Sequence, residues 1–117
     1  MKNILFLTIF LFLTFSLPPC LCIHAQESTK EEINSLILAI ERRLNDTKND
    51  GAAKYALDDL SKIEEYINHA KKSLSEGKND QAFYEISIGK SYFKIIEAKK
   101  ELFLAIQDYE DMKKRLK

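Results

Sequence analysis

Cysteine, proline and glycine are scarce in this 117-residue chain, and their positions exclude several kinds of protein. Both cysteines, Cys20 and Cys22, and both prolines, Pro18 and Pro19, lie within the first 25 residues. The rest of the chain therefore has no thiol for a disulfide or a nucleophile. With three glycines in all, it also has few places for the glycine-rich loops that cradle phosphates. Packing between side chains alone must hold this part together.

The residues after Ala25 carry no excess of either charge. They include seventeen of the eighteen basic residues and all eighteen acidic ones, so their net charge is −1 with histidine neutral. Binding to nucleic acid needs a local excess of Lys and Arg. The basic residues 113–115 are offset by three acidic residues between positions 108 and 111. We therefore expect no nucleic-acid partner.

The first 25 residues have the composition of a signal peptide. Lys2 provides a positive start, and residues 4–17 form an uncharged apolar run whose length is typical of a signal-peptide core and short for a membrane crossing. The two prolines that follow end any helix. We expect cleavage after Ala25, or alternatively after Cys22. The predicted product is a secreted or periplasmic domain of residues 26–117.

Two other fates of this leader stay open. Lipidation of a cysteine would anchor the protein, although Cys20 follows Pro19 and Cys22 follows Leu21, where a small residue is usual. An uncleaved anchor needs about 20 apolar residues, a length that the leader reaches only by including both prolines. In either case the membrane would be contacted only through the leader.

Apolar residues after the leader recur at spacings of three and four, which is typical of helices packed along one face. A first helix is predicted at about residues 30–47, starting at a capping box of Ser28 with Glu31 or of Thr29 with Glu32. Polar residues 45–51 lead to a second helix at about 52–76, which Asp50 can cap. The two apolar stripes are Ile33, Ile37, Ile40 and Leu44, and Ala56, Leu60, Ile63, Ile67, Ala70 and Leu74.

A third helix is predicted at about residues 80–116, and it carries two apolar stripes on different sides. One neighbour covers one stripe, so the second predicts another neighbour, either the first helix or another protein molecule. At about 1.5 Å per residue the third helix is too long for the second helix to cover. The stripes are Ala82, Ile86, Gly89, Phe93 and Ile96, and Ile88, Tyr92, Ile95, Leu102, Ile106, Tyr109 and Leu116.

Residues 70–89 resemble the middle of a tetratricopeptide-type helical hairpin. Ala70, Gly77, Ala82 and Gly89 match the small residues and the turn glycine of that family. Ser73 stands where an aromatic residue is usual, and the 34-residue period does not recur. The resemblance implies a close antiparallel helix pair.

Residues 56–102 are also similar to the long hairpin of a bacterial envelope domain family of unknown function. Its members have a signal or lipoprotein leader, followed by a helical hairpin with repeated alanines around a G-x-x-x-x-A turn. Gly77 and Ala82 supply that turn motif here. The resemblance implies an extracytoplasmic helical module, such as an adaptor, and transfers no catalytic residues.

The polar residues form no recognisable catalytic or metal-binding motif. His69 is the only histidine after the leader, and with Glu65 it supplies two ligands where a metal site needs three or four. The adjacent acids Asp58 and Asp59 point about 100° apart on a helix, so we expect them to be solvated. We predict no enzyme activity, no metal and no cofactor.

One segment of the third helix is apolar on nearly every side, which is typical of a helix buried on every side. We interpret it as a candidate contact surface for a second copy of the chain or for another envelope protein. The alternative is that the first helix folds over it. The candidate contact residues are Leu102, Phe103, Leu104, Ile106 and Tyr109.

Together these patterns predict an all-α fold, a three-helix bundle in which helices two and three form a long antiparallel hairpin, preceded by a signal peptide. The function we expect is an exported, non-catalytic protein-interaction module, adaptor or structural, of the cell envelope. The alternatives are a lipid-anchored structural envelope protein, a secreted carrier of a small ligand, and a secreted host-directed factor.

Overall fold

A computed structural model describes residues 28–117 as three α-helices joined by short turns. They are α1 (Lys30–Asn49), α2 (Ala53–Ser75) and α3 (Asn79–Arg115). The predicted all-α fold, with α2 and α3 as a closely packed hairpin, is confirmed. The expected signal peptide lies outside the described residues. None of these three helices is apolar enough over a sufficient length to span a bilayer.

The first helix begins at the predicted capping box and ends later than predicted. The Thr29 side chain accepts from the Glu32 amide, and the Glu32 carboxylate accepts from the Thr29 amide, both at 3.2 Å. Residues 45–49 remain helical, because backbone bonding continues to Asp50, whose amide donates to the Asp46 carbonyl at 3.0 Å. Gly51, with φ of 85°, then reverses the chain, so the connection is only three residues long.

The second helix starts without the expected side-chain cap. Asp50 caps the end of α1 instead, and the residue before α2 is Ala52, whose side chain has no polar group. The backbone also leaves the helical conformation at Ala56 (φ −144°, ψ 36°). This break sets the first turn of α2, which carries Tyr55, apart from the rest of the helix.

The turn between α2 and α3 is a Schellman motif. Gly77 has φ of 76°, its amide donates to the Leu74 carbonyl at 3.1 Å, and the Lys78 amide donates to the Ser73 carbonyl at 2.9 Å. A left-handed residue at this position favours glycine. The motif reverses the chain within three residues and starts α3 alongside α2.

A single core runs between the three helices and uses one stripe from each. Every residue of the predicted α1 stripe, of the α2 seam and of the first α3 stripe is buried. The largest of these side chains are Phe93, Ile33, Ile37, Leu60, Ile63 and Ile86. The second α3 stripe does not join this core.

Gly89 marks the closest approach of α2 and α3. A Cβ atom at this position would lie 3.1 Å from the Cβ of Tyr66 and 3.9 Å from the carbonyl oxygen of Ile63. Because the first contact is tighter than ordinary packing, the helix spacing here depends on the missing side chain.

We predict that Gly89→Val lowers the free energy of unfolding by about 1–3 kcal/mol, because the added side chain must push α2 and α3 apart. The matched control is Ser87→Val on the exposed side of the same helix, which should change stability by less than about 0.5 kcal/mol. Urea unfolding followed by circular dichroism measures both. Equal stabilities of the two variants would show that Gly89 is not a close-packing position.

Candidate interaction surface

The third helix is longer than both of its neighbours and continues past them. It has 37 residues, against 23 in α2 and 20 in α1. At one end of the α2–α3 pair, the Ser73 hydroxyl donates to the Glu85 carboxylate at 2.8 Å. At the other end the rings of Tyr55 and Phe103 lie 5.3 Å apart. Since Tyr55 is in the first turn of α2, residues 104–115 extend about 18 Å beyond it.

The first helix lies along α3 but stops short of this extension. Arg43 donates to the Glu97 carboxylate at 3.0 Å, and its guanidinium lies 4.3 Å from the centroid of the Phe93 ring. Thr47, near the end of α1, lines a shallow pocket with Ile96 and Lys100 of α3, but every residue from 104 to 117 is exposed, so α1 does not cover the extension. The alternative in which the first helix folds over residues 102–109 is therefore wrong.

Four of the five candidate contact residues are exposed to solvent. Phe103 is half-buried, because its ring packs against Tyr55. In the extension itself, every residue from 104 to 117 is exposed. The exposed fractions of the large apolar side chains are 62% for Leu102, 47% for Leu104, 50% for Ile106, 63% for Tyr109, 57% for Met112 and 88% for Leu116.

The candidate residues do not share one face of α3. Helical geometry places Leu102, Ile106 and Tyr109 within about 60° of one another, whereas Leu104 lies about 200° from Leu102. Phe103 points toward α2. The sequence therefore located the exposed segment but not which of its residues act together.

Contacts with α2 also change which residues form the second stripe. Tyr92 stacks on Tyr66 with ring centroids 6.0 Å apart, and Lys99 donates to the Asp59 carboxylate at 2.5 Å. Tyr92, a member of the predicted stripe, and Lys99, seven residues after it, therefore belong to the α2–α3 interface. The sequence alone did not show this. A stripe that passes from Ile88 to Tyr92, four residues on, fits a helix as well as one that passes from Ile88 to Ser91, three residues on.

The face left open by α1 and α2 is a continuous heptad stripe along α3, which we call the outer seam. Its members repeat at alternating spacings of four and three, and all are exposed except Ile88, which is half-buried. Small residues occupy three of the positions, which is why apolar periodicity alone did not reveal it. The outer seam consists of Tyr84, Ile88, Ser91, Ile95, Ala98, Leu102, Ala105, Tyr109, Met112 and Leu116.

Asp59 is buried, contrary to the expectation that it is solvated. Its exposed fraction is 8%, and Lys99 is its ion-pair partner across the α2–α3 interface. The expectation was wrong because Asp59 follows the α2 seam by helical spacing from Ala56 and lies beside Leu60. The neighbouring Asp58 is exposed, as expected.

The polar surface of α2 carries exposed ion pairs. Lys62 donates to the Glu65 carboxylate at 2.9 Å, which lowers the pKa of Glu65 and raises the pKa of Lys62. His69 is exposed and meets the ring of Tyr66 edge-on, with centroids 6.2 Å apart. Over residues 28–117 no three His, Cys, Asp or Glu side chains converge on a point where a metal ion could bind.

A groove of about 450 Å³ lies between α1 and α2 and is mostly polar. An ion pair between Lys48 and Glu64 links its two walls, and Lys71 pairs with Glu41 farther along. In the described part of the chain, no buried polar side-chain atom lacks a hydrogen-bond partner. The groove therefore presents charges that already bind each other.

Comparison with known proteins adds no relative to this geometry. No protein-family model, no curated protein and no solved structure matches the chain. The resemblances to tetratricopeptide hairpins and to the envelope family stay predictions.

We predict that Lys99→Ala destabilises the protein by about 1–3 kcal/mol, because it leaves the Asp59 carboxylate buried without its ion-pair partner. Adding Asp59→Asn should restore part of the loss, since the neutral amide is less costly to bury. Lys90→Ala is the matched control, since Lys90 is exposed and makes no ion pair within residues 28–117, and it should be nearly neutral. Denaturant unfolding gives all three values. A neutral Lys99→Ala would mean that the pair does not stabilise the interface.

Proposed function

We propose that this protein is an exported, non-catalytic helical module of the cell envelope that binds another protein molecule through the outer seam of α3. The observation that carries the proposal is the extension of α3 beyond α1 and α2 with large apolar residues open to solvent. Contiguous exposed apolar surface on a folded domain is typical of a binding surface.

A partner would also stabilise the extension, which gains no packing from α1 or α2. Isolated helices of fewer than about 12–15 residues are marginal in water, because tertiary packing supplies most helix stability in proteins. Residues 104–115 form such a length and have no packing neighbour among the described residues. A second helix laid along the outer seam would supply the missing contact.

Two features support binding to protein in preference to chemistry on a substrate. The polar pairs that α3 makes with the other helices, Arg43 with Glu97 and Asp59 with Lys99, join one helix to another. The outer seam, in contrast, presents aliphatic and aromatic side chains in a line that follows one helix. This arrangement favours recognition of an apolar helix face.

The location in the cell envelope is supported by the leader, whose positive start and apolar core favour export. We predict that the protein purified after expression of the full chain begins at Gln26. Intact-mass spectrometry tests this directly. A product that keeps Met1 would contradict removal of the leader, and a diacylglycerol mass on a cysteine would establish the lipid-anchored alternative.

We predict that Leu102→Glu weakens partner binding at least tenfold, because it places a charge in the middle of the apolar seam. Leu57→Glu on α2 is a matched control, since Leu57 is 60% exposed and lies off the seam. The measurement is chemical cross-linking in the envelope fraction, followed by titration of the recovered partner. Unchanged binding of Leu102→Glu, with circular dichroism showing intact helices, would contradict the proposal.

A further inference from the structure

We propose that the partner of the outer seam is a second copy of this chain, with the two α3 helices antiparallel and crossing near residue 100. This inference rests on the proposed function, because it identifies the molecule that the outer seam binds. Three properties of the seam support self-association: the distribution of side-chain sizes along it, the charges beside it, and its area.

Large and small residues alternate along the middle of the outer seam, from Ser91 to Tyr109. One set of heptad positions, seven residues apart, contains Ile95, Leu102 and Tyr109, and the other contains Ser91, Ala98 and Ala105. In a parallel pair, each position meets its own copy, so large residues would meet large ones and small would meet small. In an antiparallel pair, each position of one set meets the other set. The alternation therefore favours the antiparallel arrangement, in which each of these six residues meets one of the other size.

One register uses the whole seam. Its ten positions are placed symmetrically about residue 100, so Leu102 meets Ala98 of the second copy and Ile95 meets Ala105. The next layer pairs Tyr109 with Ser91 of the second copy. The four residues that remain at the two ends are all large: Ile88 meets Met112 of the second copy, and Tyr84 meets Leu116. A seam that is complementary to itself about one point is what a two-fold symmetric interface requires.

Charges beside the seam agree with this register. Lys94 and Asp108 lie on the same side of the seam, 14 residues apart, and the antiparallel register places each beside the other residue of the second copy. Neither makes an ion pair within residues 28–117. In a parallel pair Lys94 would instead approach Lys99 of the second copy.

The register also makes one unfavourable contact. Glu101 lies beside the crossing point and approaches its own copy, which is a like-charge pair. Lys99 also approaches its own copy, but its ammonium is bound by Asp59. Removing the charge of Glu101 should therefore strengthen the dimer.

The exposed area is sufficient for a stable pair. The six large exposed side chains of the seam present on the order of 700 Å², taking about 200 Å² for a fully exposed side chain and the observed exposed fractions. A specific protein interface of standard size buries about 800 Å² on each partner. The large side chains of the seam therefore supply most of this area. The small residues of the seam and the aliphatic parts of the side chains beside it add to it.

The test is sedimentation equilibrium of the product purified after expression of the full chain. We expect a dimer for the wild type, a dissociation constant raised about fivefold to thirtyfold by Lys94→Asp, and recovery when Asp108→Lys is added. Lys90→Asp makes the same change in net charge on an exposed position away from the seam and should leave the dimer unchanged. Glu101→Gln should lower the dissociation constant.

A wild-type monomer at all accessible concentrations would overturn the inference. Tighter association of Lys94→Asp would overturn the antiparallel register in favour of a parallel one. A monomer that loses a different bound protein on Leu102→Glu would contradict self-association alone and leave the proposed function standing. A monomer whose binding no seam substitution affects would contradict both.

Discussion

The structure depends on the packing of the inner stripe of α3 against two shorter helices. Ile86 and Phe93 are buried where α1 and α2 both reach α3, and this contact fixes the directions of all three helices. Because a helix buries only as much surface as its neighbours can cover, the core ends at Ile96, and the last contact with α2 is that of Phe103 with Tyr55. Everything beyond that point, and the whole side of α3 that faces neither neighbour, is left to be covered by another molecule or by solvent.

The core could be predicted from the sequence because residues buried along one face of a helix recur at regular spacings. Apolar residues at spacings of three and four gave the buried stripe of each helix, and the capping box at Thr29 and the turn at Gly77 are confirmed. Contacts between one helix and another are less visible in the sequence. The position of α1 and the burial of Asp59 beside Lys99 depend on which surfaces meet in space, and neither charge pattern nor spacing specifies that.

The candidate contact residues illustrate the same limit. Their segment was located correctly as one without cover, but its five residues point in several directions, and Phe103 is held by Tyr55. The outer seam contains Ala98 and Ala105, which hydrophobic periodicity counts for little. Small residues become informative only when the structure shows that they lie in line with Ile95 and Leu102 on an uncovered face, where they permit close approach of a second helix.

Hydrogen exchange of α3 at low and high protein concentration most directly tests the central claim, that neither α1 nor α2 covers residues 104–115. In dilute solution their amides should exchange much faster than those of residues 82–96, since only the latter lie in the core. At high concentration residues 104–115 should become protected while residues 82–96 stay unchanged. Equal protection of both segments at every concentration would contradict the account.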